Sequence, residues 1–348
     1  MTVCYFGFYN REYSRNRILI KGLKQNNVKV IECQTRLKGI AKYFDLIKKH
    51  RCIKKEYDVM IVGFPGYQAV VLARFLTRKK IIFDAFTSLY DSLILDRKES
   101  NKVSAKAFYY WLIDFVSCKL ANKILLDTYS HIDYFIKTFK LKRNKFERIL
   151  VGSDDEIIKP KKVVNSHNKF LVHFHGKFIP LQGVEKIVKA AKLLEKYDVE
   201  FNIIGKGQTY KKIRKLAQDL SVNNINFIDY VPYEKLSEYM SKADVCLGIF
   251  GNTDKAKRVI PNKLYEALAS GCPVITMETL AAKEILENKK NVLFCKNNSS
   301  GDLANKILEL KNNNDLRDKV ATNGYNLFKN NFTPKILGRK LKLVIENL

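Results

Sequence analysis

Apolar residues along this chain come as short unbroken runs, and between the runs they recur every three or four positions. Runs at residues 3–8, 28–33, 58–64, 80–83, 123–126 and 148–151 predict strands, and the stretches at 15–23, 40–50, 67–75, 104–120 and 131–139 predict helices. After a segment of acids, turn formers and Pro160 the rhythm restarts. Strands are expected at 170–175, 199–204, 225–228, 245–249, 274–276 and 291–294, with helices between them and helices near 303–310, 316–328 and 334–348 at the end. Continuous apolar strands separated by helices are the mark of parallel sheets covered on both faces. The expectation is α/β, with Rossmann-like domains at 1–155 and 169–332, a linker at 156–168 and a final basic amphipathic helix at 333–348. A chain of 348 residues exceeds what one hydrophobic core usually organises, which agrees with two domains.

In the stretch RVIPNKLYEALASGCPVIT, residues 258–276, almost every position has a mechanical role. Pro261 suits the first position of a helix, Leu264, Ala267 and Leu268 recur at helical spacing, and Gly271 with Pro273 ends the element before the β-branched run Val274, Ile275, Thr276. Lys263 and Glu266, three apart, share one face near the helix start. Ile260, the residue before Pro261, has no oxygen to cap the first amides. Two readings follow. An uncapped helix start beside Lys255, Lys257, Arg258 and Lys263 is a seat for a phosphate-bearing ligand. Alternatively, water satisfies the amides and Lys263 pairs with Glu266 on a wet surface.

Charge changes the picture of partners. The net charge is +28, divided +15 over residues 1–160 and +13 over the remainder, so no single tail carries it. Clusters at 48–55, 74–80 and 137–145 attract anionic lipid, nucleic acid or phosphorylated substrates alike, or are solvated faces of a lysine-rich composition. No nucleic-acid recognition motif accompanies them, so nucleic acid is not expected. Seven scattered cysteines without a C-x-x-C pair predict reduced thiols, a cytoplasmic setting and no metal site. No run reaches the ~18 apolar residues of a membrane span, and the start reads as a strand and not as a signal peptide.

Ligands of open α/β sheets bind at the carboxyl ends of strands. In the second domain that selects Gly176-Lys177, Gly205-Lys206-Gly207, the loop with Tyr230 and Val231, and residues 248–252. A G-x-G-x-x-G fingerprint is absent, which argues against a nicotinamide dehydrogenase.

Four landmarks together carry a family resemblance: VGSDDEIIKP, HGKFIPLQGVEKIVKAAKLL, ADVCLGIFG and PNKLYEALASGCPVIT. The chain resembles a retaining glycosyltransferase of family 4 along essentially its whole length. The resemblance implies the GT-B fold, two Rossmann-like domains facing a central cleft with a C-terminal helix crossing back to the first. It implies a hexosyl or related transferase (EC 2.4 class) that uses a nucleotide-diphosphate sugar without metal or other cofactor. By position, Glu266 matches the carboxylate that accepts the donor ribose hydroxyls, and Lys177 the basic residue on the diphosphate. The family's earlier glutamate is here Arg258 and its second basic residue is Gln182, so Arg258, Lys257 or Lys263 is expected to have taken over that diphosphate contact. Gly176, Gly205, Tyr230 and Val231 complete the expected donor loops.

In the first domain Asp84 matches a position that is often polar and lines the cleft near the transferred sugar, and is the expected catalytic residue; a helix cap or a structural acid is the alternative. Arg11, Arg15 and Arg17 follow the first strand and are expected to meet an anionic acceptor or membrane, with a solvated helix start as the alternative. The basic first domain points to a glycan or lipid-linked acceptor at the inner face of a membrane. Two other readings of the GT-B layout stand beside transfer: a nucleotide-sugar epimerase, and an inactive partner subunit.

Overall fold

The alternation produces two sheets of six strands each. The computed structural model describes residues 1–161, 169–296 and 298–348. One unit comprises Met1–Gly152 with Phe332–Leu348, the other Ser153–Asn331. The first contains β1 (Thr2–Gly7), β2 (Lys29–Gln34), β3 (Val59–Val62), β4 (Ile81–Phe86), β5 (Lys123–Leu126) and β6 (Phe146–Arg148), ordered β2-β1-β3-β4-β5-β6. The second contains β7 (Phe170–His175), β8 (Val199–Ile204), β9 (Ile225–Ile228), β10 (Val245–Leu247), β11 (Val274–Met277) and β12 (Leu293–Cys295), ordered β12-β11-β10-β7-β8-β9. The strand ladders are parallel. The order reverses beside β1 and β3 in one sheet and beside β7 and β10 in the other, and such switch points leave crevices outside the strand ends.

Apolar strands bury both faces, as the unbroken runs require. Val3, Cys4, Tyr5 and Phe6 of β1 and Met60, Ile61 and Val62 of β3 have no exposed surface. In the second unit Val172, Phe174, Phe201, Ile203, Leu247 and Ile275 form one cluster with the helices Val184–Leu193 and Ser300–Asn312. The C-terminal helix Pro334–Glu346 belongs to the first unit and crosses the helix Ser14–Gln25 at two glycines. A Cβ on Gly338 would lie 2.1 Å from the backbone of Gly22, and one on Gly22 would lie 2.1 Å from the Pro334 carbonyl oxygen. Only glycine permits backbones this near.

Two local expectations shift, and one element appears that the sequence pattern did not assign. The strand expected at 148–151 is Phe146–Arg148, because the carbonyls of Ile149 and Leu150 accept from Arg15. The widened helical turn Tyr90–Asp96, which shows no periodic signal, is held by Asp114, whose carboxylate accepts from Ser88 Oγ at 2.6 Å and from the amides of Leu89 and Tyr90. Burial pushes that carboxyl up to about 7. Of the linker expected at 156–168, residues 162–168 lie outside the described residues. The part before them is tied to the second unit, where Ser237 Oγ donates to the Lys159 carbonyl.

Candidate functional site

The helix that carries Lys263 and Glu266 spans Asn262–Ala269. Pro261 is its N-cap, with φ −71° and ψ 148°, and not its first helical residue; no side chain caps the free amides. At the other end Gly271, at φ +72°, closes a Schellman pair: its amide donates to the Leu268 carbonyl and the Cys272 amide donates to that of Ala267. Every side chain from Lys263 to Ala269 is buried. The wet-surface pairing of Lys263 with Glu266 is therefore overturned: the two residues are 6% and 5% exposed, and each has another hydrogen-bond partner.

Glu266 Oε2 lies 2.8 Å from His175 Nε2, and His175 Nδ1 lies 2.9 Å from His173 Nε2. Strand alternation places these two histidines together on the face of β7 opposite Val172 and Phe174. Burial lowers the pKa of His173 well below its ordinary value, and His175 and Lys263 lower it further. Neither histidine is among the residues expected from the sequence. Their signal lies in FLVHFH, where two polar residues spaced by two interrupt a run that otherwise buries both faces.

Lys263 donates to Gln182 Oε1, and its ammonium stands 3.6 Å from the centre of the Phe174 ring. Burial holds its amine well below the usual lysine range, with Glu266 opposing. Gly176, at φ +149°, leaves the space beside it: a Cβ there would stand 2.8 Å from Nζ. Gly205 brings the next loop against this one, since its Cβ would meet the Gly176 carbonyl oxygen at 2.0 Å. Gln182 and Lys263, one where the resemblance expected a base and the other a suggested replacement for it, thus touch.

The remaining expected residues are more scattered. Lys177 is exposed, Tyr230 is exposed and Val231 is buried. Arg258 is partly exposed, its amide bonded to the Lys255 carbonyl, and Lys257 pairs with Asp254 at 3.2 Å. Of the three replacements suggested, Lys263 is the one placed against both Gly176 and Gln182 by its contacts.

In the first unit two expectations fail on burial. Asp84 has no exposed surface and takes both Nε and Nη2 of Arg15, at 3.0 and 2.8 Å. Arg15 is equally buried and also holds the carbonyls of Ile149 and Leu150. Asp84 therefore lines no surface where a sugar could reach it, and Arg15 meets no acceptor; this is the structural acid of the alternative reading. Beside them His131 is buried with Nδ1 2.7 Å from Asp127 and Nε2 3.9 Å from Asp91. Burial disfavours its charge, but the two carboxylates outweigh it and raise its pKa. Arg17 lies against Glu12 at 4.0 Å with little exposure, whereas Arg11 is half exposed and 3.4 Å from Glu32.

Among the described residues no group of three or more His, Cys, Asp or Glu is placed to hold a metal ion. No helix among them is long and apolar enough to cross a membrane.

The chain as a whole is similar to known proteins. An uncharacterized glycosyltransferase of Methanocaldococcus jannaschii is 28% identical over 188 residues, 49% of each chain. The poly(ribitol-phosphate) alpha-N-acetylglucosaminyltransferase of Staphylococcus aureus is 26% identical over 180 residues, 48% of this chain and 34% of that one. The chain spans about half the length of two curated relatives that it matches. Among solved structures, Anabaena HepE in complex with UDP superposes over 100% of both chains with a TM-score of 0.77 at 15% identity, a likeness that shows the shared GT-B fold. The sequence model of the glycosyl transferases group 1 matches residues 154–327, which include Gly176, Gln182, Lys263 and Glu266. This chain belongs to the glycosyl transferases group 1 family.

Proposed function

We propose that this protein moves a sugar, with retention, from a nucleoside-diphosphate sugar to a phosphate-bearing glycan or lipid-linked acceptor, working at the anionic inner face of a membrane. The observation that carries the donor half is the meeting of a buried lysine, a buried carboxylate and a bare glycine at one uncapped helix start. Glu266 has a second oxygen with which to accept the ribose hydroxyls while His175 holds Oε2. Lys263, the free amides of the helix start and Lys177 face the diphosphate, where positive charge stabilises the leaving nucleotide. In the reaction the bond from the anomeric carbon to the diphosphate oxygen breaks and the acceptor oxygen takes its place. The acceptor's proton passes to the departing diphosphate. No protein nucleophile and no metal is assigned.

UDP in the HepE structure supports a uridine nucleotide as the first to try. The phosphate-rich polymer named for the Staphylococcus aureus relative supports an anionic acceptor, in keeping with the charge of +28 here.

Thermal-shift and calorimetric titration with UDP, GDP, ADP and dTDP tests the donor site. One of the four should stabilise the protein, by about 2.7 kcal/mol at a hundredfold over Kd, and Glu266→Ala should weaken that response. Stabilisation by none of them would remove the donor reading and leave an inactive member of the family.

A further inference from the structure

Within the first unit, the carboxyl ends of β1 and β2 open onto a cavity of about 650 Å³. Phe8, Arg11, Arg36, Leu37, Lys38 and Lys42 line it, and among the described residues the one carboxylate in its wall is Glu12. Four cations around one acid in a concave site concentrate positive potential, because the low-dielectric walls focus the field. Arg11 is shared with Glu32 at 3.4 Å. The Lys42 ammonium stands 4.3 Å from the centre of the Phe8 ring, which fixes one charge against an aromatic wall. The loop between β2 and the following helix Ala41–Ile53 is shaped by the Leu37 amide donating to Thr35 Oγ1 at 3.2 Å, and by Gly39 at φ +61°.

Apolar surface continues from the charged wall. Leu37, Ile40 and Phe44 are 53%, 73% and 67% exposed, and Ile40 and Phe44, four apart at the start of the helix, share a face. Large apolar side chains left in water beside a basic cavity match a ligand with an anionic head and a hydrocarbon tail.

We propose that this cavity receives the phosphate-bearing head of a lipid-linked acceptor, with the lipid chain lying over Leu37, Ile40 and Phe44. The proposal rests on the glycosyl-transfer reading above and names its acceptor class and the place where that acceptor binds. Of the three arginines singled out after the first strand, only Arg11 takes part; Arg36, Lys38 and Lys42 supply the rest of the charge.

The test is calorimetric titration of the full chain with geranyl diphosphate, inorganic pyrophosphate and geraniol. Geranyl diphosphate should bind at least about tenfold more tightly than pyrophosphate, since each buried methylene adds to affinity. Arg36→Ala with Lys38→Ala should weaken both by about tenfold or more, and Ile40→Ser with Phe44→Ser should remove only the advantage of the geranyl chain. All four positions are exposed, so the variants should keep the melting temperature. Equal affinity for the two diphosphates would overturn the lipid-linked assignment. Binding unchanged by the Arg36 and Lys38 substitutions, or abolished by Lys263→Ala, would overturn the site. Nucleotide binding in the Arg36 and Lys38 variant should stay at its wild-type value, which separates failure here from failure of the donor reading.

Discussion

Each unit gathers charged side chains where its parallel strands end, and the two gatherings are satisfied in opposite ways. In the first, Arg15 and Asp84 are sealed from solvent and answer each other with a two-pronged ion pair, while His131 is flanked by Asp127 and Asp91. In the second, Lys263 rests on an amide oxygen and an aromatic ring, and Glu266 on an imidazole. Opposite charges in contact have little left to offer a ligand. A charge held by an amide, a ring or a histidine keeps most of its field, and a glycine beside it leaves room for another molecule. Carboxyl ends of strands thus mark where a site can be built, and the partners of each charge decide whether one was.

The largest effect should come from breaking the saturated pair. Arg15→Met leaves Asp84 buried without its counter-charge and should cost about 3–5 kcal/mol by chemical denaturation, with nucleotide affinity of the folded protein unchanged. The double variant Arg15→Met with Asp84→Leu should recover much of that loss. A fall in nucleotide affinity without a fall in stability would erase the distinction between the two clusters.

A smaller effect is expected at the donor cluster. His175→Ala removes a hydrogen bond to a charged group, about 1.5–3 kcal/mol, and should weaken nucleotide binding by about tenfold or more. His175→Asn, which can still donate, should restore part of it. Equal nucleotide affinity in all three proteins would leave the histidine a core residue only.

The smallest effect is a proton. Because the Lys263 amine sits well below its usual range in the free protein, the folded chain binds fewer protons there than the unfolded chain. Its contribution to stability is therefore present above the unfolded value and is lost as pH falls through the folded one. A diphosphate arriving at Nζ favours the ammonium, so binding at about pH 9 should take up protons. Calorimetry in two buffers of different ionisation enthalpy measures the uptake, which should vanish in Lys263→Met. Binding without uptake in the wild type would remove Lys263 from the diphosphate.

Helical spacing put Lys263 and Glu266 on one face and the strand-end rule selected Gly176, both local patterns, while the family resemblance gave Glu266 its expected role and marked Gln182 as a departure. None of these singled out His173 or His175, because the contact that joins His175 to Glu266 spans 91 positions of the chain. The resemblance also placed Asp84 on a surface, since a strand-end acid reads the same whether or not an arginine 69 positions earlier in the chain closes over it.

Apolar runs, with chain length and the proline and glycine signals between them, determined that this protein has two parallel sheets, which segments form their strands and where the glycine-closed helix begins to within a residue, because these depend on neighbours a few positions apart. The tertiary structure decided which charges are spent on each other and which are held ready. That depends on burial and on partners brought together from distant segments, and no local pattern encodes it.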